Sequence, residues 1–118
     1  VQTRRYDGTA GTWGAITNLG GAGYGDQPRV AFDAAGNALA VFDVNDSVYG
    51  ARYLATGTTF GTPKLLRSGV QGWVDGITLA VNACGQGIAV ASYADEGPSD
   101  PPDRILFRSE PSPVGVLS

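Results

Sequence analysis

RVAFDAAGNALAVFD, residues 29–43, returns forty-nine residues later as TLAVNACGQGIAVAS, residues 78–92, the same pattern in other residues. Each copy reads as strand, turn, strand. In the first, Arg29–Phe32 alternates and then stops at Asp33-Ala34-Ala35-Gly36-Asn37, where Asp, Gly and Asn supply turn chemistry and tolerate positive φ. The next run, Ala38–Phe42, is apolar throughout and suits a strand buried on both faces. In the second copy, Ile77–Val81 turns through Asn82-Ala83-Cys84-Gly85-Gln86 into Gly87–Tyr93.

The repeat extends beyond this match. Tyr6–Leu19 lies over Tyr53–Leu66 at an offset of forty-seven, pairing Tyr6 with Tyr53, Trp13 with Phe60 and Gly14 with Gly61. The two offsets are reconciled by a two-residue insertion between Leu66 and Thr78, which a surface loop tolerates at little entropic cost. Ile105–Arg108 matches Tyr49–Arg52 if the loop after Tyr93 is several residues longer than its counterpart. The unit is completed by a polar loop at Asp43–Asp46, a third strand at Val48–Leu54, a turn at Ala55–Thr58 and a fourth strand at Phe60–Leu66, with Pro63 suited to an outer edge.

A four-stranded unit of about fifty residues, repeated in one chain, has the period of a β-propeller blade. The expected fold is therefore all-β: four-stranded antiparallel blades, about two and a half of them, in one domain. Residues 1–19 are the end of one blade (Val1–Tyr6 as third strand, Thr12–Leu19 as fourth), 20–66 a complete blade, and 67–118 a second, partly incomplete one. Propellers close with four to eight blades. The expectation is then a segment of a longer chain, with an oligomeric ring and a shorter open assembly as alternatives, because open terminal sheets leave unpaired edges.

Composition bounds the rest. The 118 residues carry 18 Gly and no sustained apolar period of three to four, favouring strands and turns over helices. A net charge of -3, one lysine (Lys64) and scattered arginines argue against nucleic acid, which needs clustered cations. No apolar run is long enough for a membrane-spanning helix, so no membrane insertion is expected. The absence of His excludes a Ser-His-Asp triad and a typical zinc site within the chain. Cys84 occupies the place of Ala35 and reads as a small filler.

Tyr53, the Gly57/Phe60/Gly61/Pro63 segment, the Asp26-Gln27-Pro28 lead-in and the Asp33–Ala38 hairpin together resemble the repeats of bacterial secreted and surface β-propellers of the sialidase-like kind, and are similar to propeller lectins. The resemblance covers nearly all the chain and implies an extracellular, cell-surface or periplasmic location. Gly11-Thr12-Trp13 keeps the tail of the Asp-box of sialidase-like propellers, with the spacing one residue short and Thr9 where Asp is expected.

Beyond turn and core residues, an aromatic-x-Asp lead-in recurs: Tyr24-Gly25-Asp26 in one unit and Trp73-Val74-Asp75 in the next. Aromatic rings stack on the apolar faces of sugars and carboxylates accept from their hydroxyls. Tyr24, Asp26, Trp73 and Asp75, with Arg29 nearby, are therefore the candidate ligand-binding residues, and a glycan or a protein the expected partner. The alternative is structural: each Asp serves its own turn and each ring caps the core. The same end carries Asp43, Asn45 and Asp46 in one unit and Asp95, Glu96, Asp100 and Asp103 in the other. Asp43, Asn45 and Asp46 are weak calcium candidates, lacking the Gly and Glu of a calcium loop, and no cofactor is otherwise expected.

The expected function is a non-enzymatic extracellular binding module, partnered by further blades from its own chain or from other copies. A structural or assembly module is the second reading. A segment of a sialidase-like glycoside hydrolase is the third, although an arginine cluster and a Tyr/Glu nucleophile pair are missing and only Glu96 and Glu110 are present.

Overall fold

The two turns that define the repeat close in the same way. At the first, Asp33 N–H donates to Asn37 O (2.9 Å) and Gly36 N–H to Asp33 O (3.2 Å); at the second, Asn82 N–H donates to Gln86 O (2.9 Å) and Gly85 N–H to Asn82 O (3.0 Å). Each turn is held by one side-chain oxygen. Asp33 Oδ1 accepts from the N–H groups of Ala35 and Asn37, and Asn82 Oδ1 from those of Cys84 and Gln86. Gly36 and Gly85 sit at φ 84° and 82°, the left-handed region where a Cβ is costly.

The computed structural model describes residues 1–68 and 73–94, together with the backbone of Arg104–Arg108. Its described elements are all strands, paired antiparallel in small sheets. Residues 1–18 form a hairpin of four short strands: β1 (Gln2–Thr3) pairs with β4 (Thr17–Asn18), and β2 (Tyr6–Asp7) with β3 (Thr12–Trp13). A four-stranded meander follows in the order β5 (Gly25–Phe32), β6 (Ala38–Val44), β7 (Ser47–Tyr53), β8 (Lys64–Arg67). The last sheet is β9 (Trp73–Val81), β10 (Gly87–Ala94) and β11 (Arg104–Arg108), with β10 central.

Register repeats as well as sequence does. Tyr6 faces Trp13 as Tyr53 faces Phe60, with ring centroids 5.2 Å and 5.6 Å apart, and Gly14 and Gly61 each donate to the carbonyl of the preceding arginine position, Arg5 and Arg52. Val90 pairs with Leu106 and Ile88 with Arg108, just as Val41 pairs with Gly50 and Leu39 with Arg52. The Ile105–Arg108 match is thus the correct one.

Several strand limits differ from expectation, among them the start of β9, at Trp73 instead of Ile77. The polar loop at Asp43–Asp46 is a two-residue turn: β6 runs on through Asp43 and Val44, and Val44 pairs with Ser47 across Asn45 and Asp46. Both turn residues have positive φ, 50° and 62°, the mirror-image geometry that matches the twist of a hairpin. β5 starts at Gly25 instead of Arg29, with an irregularity between Asp26 and Arg29. The fourth strand shrinks to Lys64–Arg67, the edge strand of its sheet, with Phe60 held by a lone bridge to Tyr53 and Pro63 just outside the strand, because a proline has no N–H for the ladder.

The sheets stack in layers with β6 in the middle, every residue of it buried. One face of β6 turns Ala40, Phe42 and Val44 towards the 1–19 hairpin, where Leu19, Val1, Tyr49 and Phe60 complete a cluster. Its other face turns Leu39 and Val41 towards the last sheet, against Ile77, Ala89, Ala91 and Tyr93. Full burial of a side chain of this size contributes about 1.5–3 kcal/mol. Arg5 adds a contact between layers, its guanidinium 5.9 Å from the Tyr53 ring centre. Phe60 is packed between layers as expected, but Trp13 is exposed, since the hairpin is the outermost described layer, with the Tyr6 ring against it.

Candidate functional site

The touching turns fix which residues share an end of the stack. Ala34 N–H donates to Ala83 O at 3.3 Å, joining the 33–37 and 82–86 turns, and β5 and β9 run side by side into them. Their first residues therefore lie together at the opposite end. Both aromatic-x-Asp segments are there, and both coincide with a bulge: β5 is irregular between Asp26 and Arg29, and in β9 Asp75 is the extra residue between Val74 and Gly76, which pair with the consecutive Tyr93 and Ser92. A bulge bends a strand and re-aims its side chains.

Tyr24 is fixed through its backbone and free at its ring. Asn45 Oδ1 accepts from Tyr24 N–H at 3.0 Å, while Asn45 N–H donates to Tyr24 O at 2.9 Å; the ring itself is 86 % exposed. Trp73 opens β9 opposite Ala94 and is also exposed, as are Asp26 and Asp75. Asp26 Oδ1 accepts from the N–H of its neighbour Gln27. Arg29 is turned back onto its own chain, donating to Pro28 O at 2.9 Å. Among the described residues no hydrogen bond or ring contact joins the two aromatic-x-Asp segments to each other.

The ion candidates do not converge. Asn45 is spent on Tyr24, Asp43 accepts from the backbone N–H groups of Asp26 and Asp46, and no group of three acidic, His or Cys side chains placed to hold a metal occurs among the described residues. Asp95, Glu96, Asp100, Asp103 and Glu110 lie outside the described residues.

What sequence reading missed is a buried polar group beneath this end. Asp26, Asp43, Val48 and Arg67 follow one another across β5, β6, β7 and β8, on the face that meets the last sheet. Tyr93 comes up from β10 into the same space. Asp43 is 6 % exposed and Tyr93 2 %, yet Asp43 Oδ1, Tyr93 OH and Arg67 Nε all lack a hydrogen-bond partner. Burial, above all, pushes the Asp43 carboxyl up from the usual range; the N–H groups of Asp46 and Asp26 oppose this, and the carboxylates of Asp26 and Asp46 add to it. Burial likewise raises the Tyr93 phenol, opposed by Arg67 and reinforced by Asp43 and Asp46. An acceptor, a donor-acceptor and a donor meet here unsatisfied, an arrangement that one hydroxyl group or one water molecule would complete.

A signal for Tyr93 existed in the sequence: it falls in step with Ala89 and Ala91 on the inward face of an alternating strand. Arg67 had none, because its position depends on pairing with Val48. No protein-family model, curated protein or solved structure matches the chain.

Proposed function

We propose that the chain is a run of β-propeller repeats serving as a non-enzymatic binding module outside the cell or on its surface, and that its ligand is a neutral, hydroxyl-rich molecule, a glycan. The observation that carries this is the pairing of two exposed rings, Tyr24 and Trp73, with the buried Asp43 and Tyr93 and the half-buried Arg67 at one end of the stack. Rings offer stacking faces, and carboxylates and unsatisfied polar groups offer hydrogen bonds to hydroxyls. Support for propeller repeats comes from face-to-face stacking of antiparallel meanders that share one register.

A glycan array followed by calorimetry tests it. Trp73→Ala and Tyr24→Ala are each expected to weaken binding at least about tenfold, the scale of losing one well-packed aromatic contact. Absence of binding by the wild-type protein, or binding unchanged in both variants, would refute the reading.

The assembly reading is favoured by a separate observation. Val30 and Phe32 of β5 and Ile88 of β10 are large apolar side chains left open to solvent on the sheet faces.

A further inference from the structure

The layers stack with a fixed polarity. Shifted by forty-nine residues, Ala40 and Phe42 become Ala89 and Ala91, while Leu39 and Val41 become Ile88 and Val90. In the contact between the two sheets, Ala89 and Ala91 of the later sheet pack on Leu39 and Val41 of the earlier one. The later sheet also contributes Ile77, Leu79 and Val81 from its first strand.

Both halves of that contact recur, unused, at opposite ends of the molecule. The counterparts of Ile77, Leu79 and Val81 in β5 are Pro28, Val30 and Phe32. Val30 is 57 % and Phe32 63 % exposed, and with Ala38 and Ala40 they line an apolar groove of about 810 Å³ beside residues 1–6. The counterparts of Leu39 and Val41 are Ile88 and Val90 on the outer face of β10, where Ile88 is 51 % exposed. The chain thus carries a second acceptor face and a second donor face of a contact it already makes once.

We infer that the occupant of the groove is the β9–β10 hairpin of a second copy of this chain, docked through Ile88 and Val90 onto Pro28, Val30 and Phe32. Residues 1–7 hold the third-strand place beside the groove, the place β11 holds beside β10, so the docked hairpin exchanges β11 for residues 1–7 as its neighbour. Because donor and acceptor are different surfaces, the association is head to tail and grows into a closed ring or a filament. The inference rests on the repeat reading proposed above and on no ligand.

Native mass spectrometry and sedimentation of the whole chain across a range of concentrations test it. The wild type is expected to form oligomers. Ile88→Asp and Phe32→Asp, each burying a carboxylate in an apolar contact, are expected to raise the dissociation constant by more than about tenfold. Both side chains are exposed, so circular dichroism is expected to show the fold retained. An equimolar mixture of the two variants is expected to recover a one-to-one dimer, since Phe32→Asp keeps an intact donor face and Ile88→Asp an intact acceptor face. A strictly monomeric wild type, either variant assembling as the wild type does, or a mixture that stays monomeric would each overturn the inference. Loss of assembly with glycan binding kept strikes this inference alone, and loss of glycan binding with assembly kept strikes only the ligand reading.

Discussion

The β5–β8 sheet and the β9–β11 sheet share a turn, a register and a bulge, yet their first strands differ in burial. Ile77 in β9 is buried, whereas Val30 and Phe32 in β5 are open to solvent. Local sequence is nearly the same in kind. The difference arises from what lies across each face: β9 has Leu39 and Val41 of the sheet before it, while β5 has a groove beside a hairpin only two strands wide. Apolar patterning therefore specifies a face that can be buried, and the stacking of layers decides whether it is.

The sharpest way to break this comparison is a pair of truncations. Ile77→Ala is expected to cost about 2–5 kcal/mol in urea unfolding, as buried large-to-small changes do. Val30→Ala is expected to stay within about 0.5 kcal/mol when the chain is dilute enough to be monomeric, so that no second copy covers β5. Equal losses at both positions in the monomer would show that β5 is covered within the single chain.

The turns offer a finer contrast. Gly36→Ala and Gly85→Ala both force a Cβ into positive φ, at about 1 kcal/mol each. A Cβ at Gly85 would also meet Asp33 Oδ2 at 2.9 Å, against 3.5 Å to the Ala55 Cβ at Gly36. Gly85→Ala is thus expected to be the more damaging, and a reversed order in the melting temperatures would sever the link between the two turns.

Acid titration separates two aspartates of the same sheet. Asp43 has a folded pKa raised by burial, so its contribution to stability is fully present below the ordinary carboxylate pKa and is lost as pH rises through the raised value. Asp43→Asn is therefore expected to gain about 1 kcal/mol at neutral pH by removing a buried charge, and nothing in acid. Asp33 behaves oppositely: the Asn37 side-chain amide, then the turn N–H groups, hold its pKa down, so its contribution is present above the ordinary pKa and fades as pH falls through the lowered one. Asp33→Asn, which copies Asn82, is expected to have the smallest effect of all at neutral pH and to flatten the acid limb. Unfolding curves at several pH values check both signs.

How much of this could be read from the residues follows the range of the forces involved. The 33–37 and 82–86 turns were legible because each is closed by its own side chain within four residues. The limit at Asp43 was misread because Asp43, Asn45 and Asp46 look alike as polar residues, although the first lies on a strand and the others form the turn. The bulges were invisible, being properties of pairing. Tyr24, Asp26, Trp73 and Asp75 share an end of the stack, as their equivalent places in the repeat imply. Asp43, Arg67 and Tyr93, by contrast, are brought together by three strands from two sheets, and nothing in any one segment announces that.

Asp43 also matters to the chain before it folds. Ala38–Phe42 is an uncharged, proline-free run of the kind that pairs with itself between unfolded molecules. The carboxylate that ends the run is ionised and hydrated in the unfolded chain, where it repels a second copy of the segment, a gatekeeper in the sense used for aggregation-prone strands. A residue that costs the native state stability at neutral pH thereby keeps the unfolded chain soluble long enough to fold.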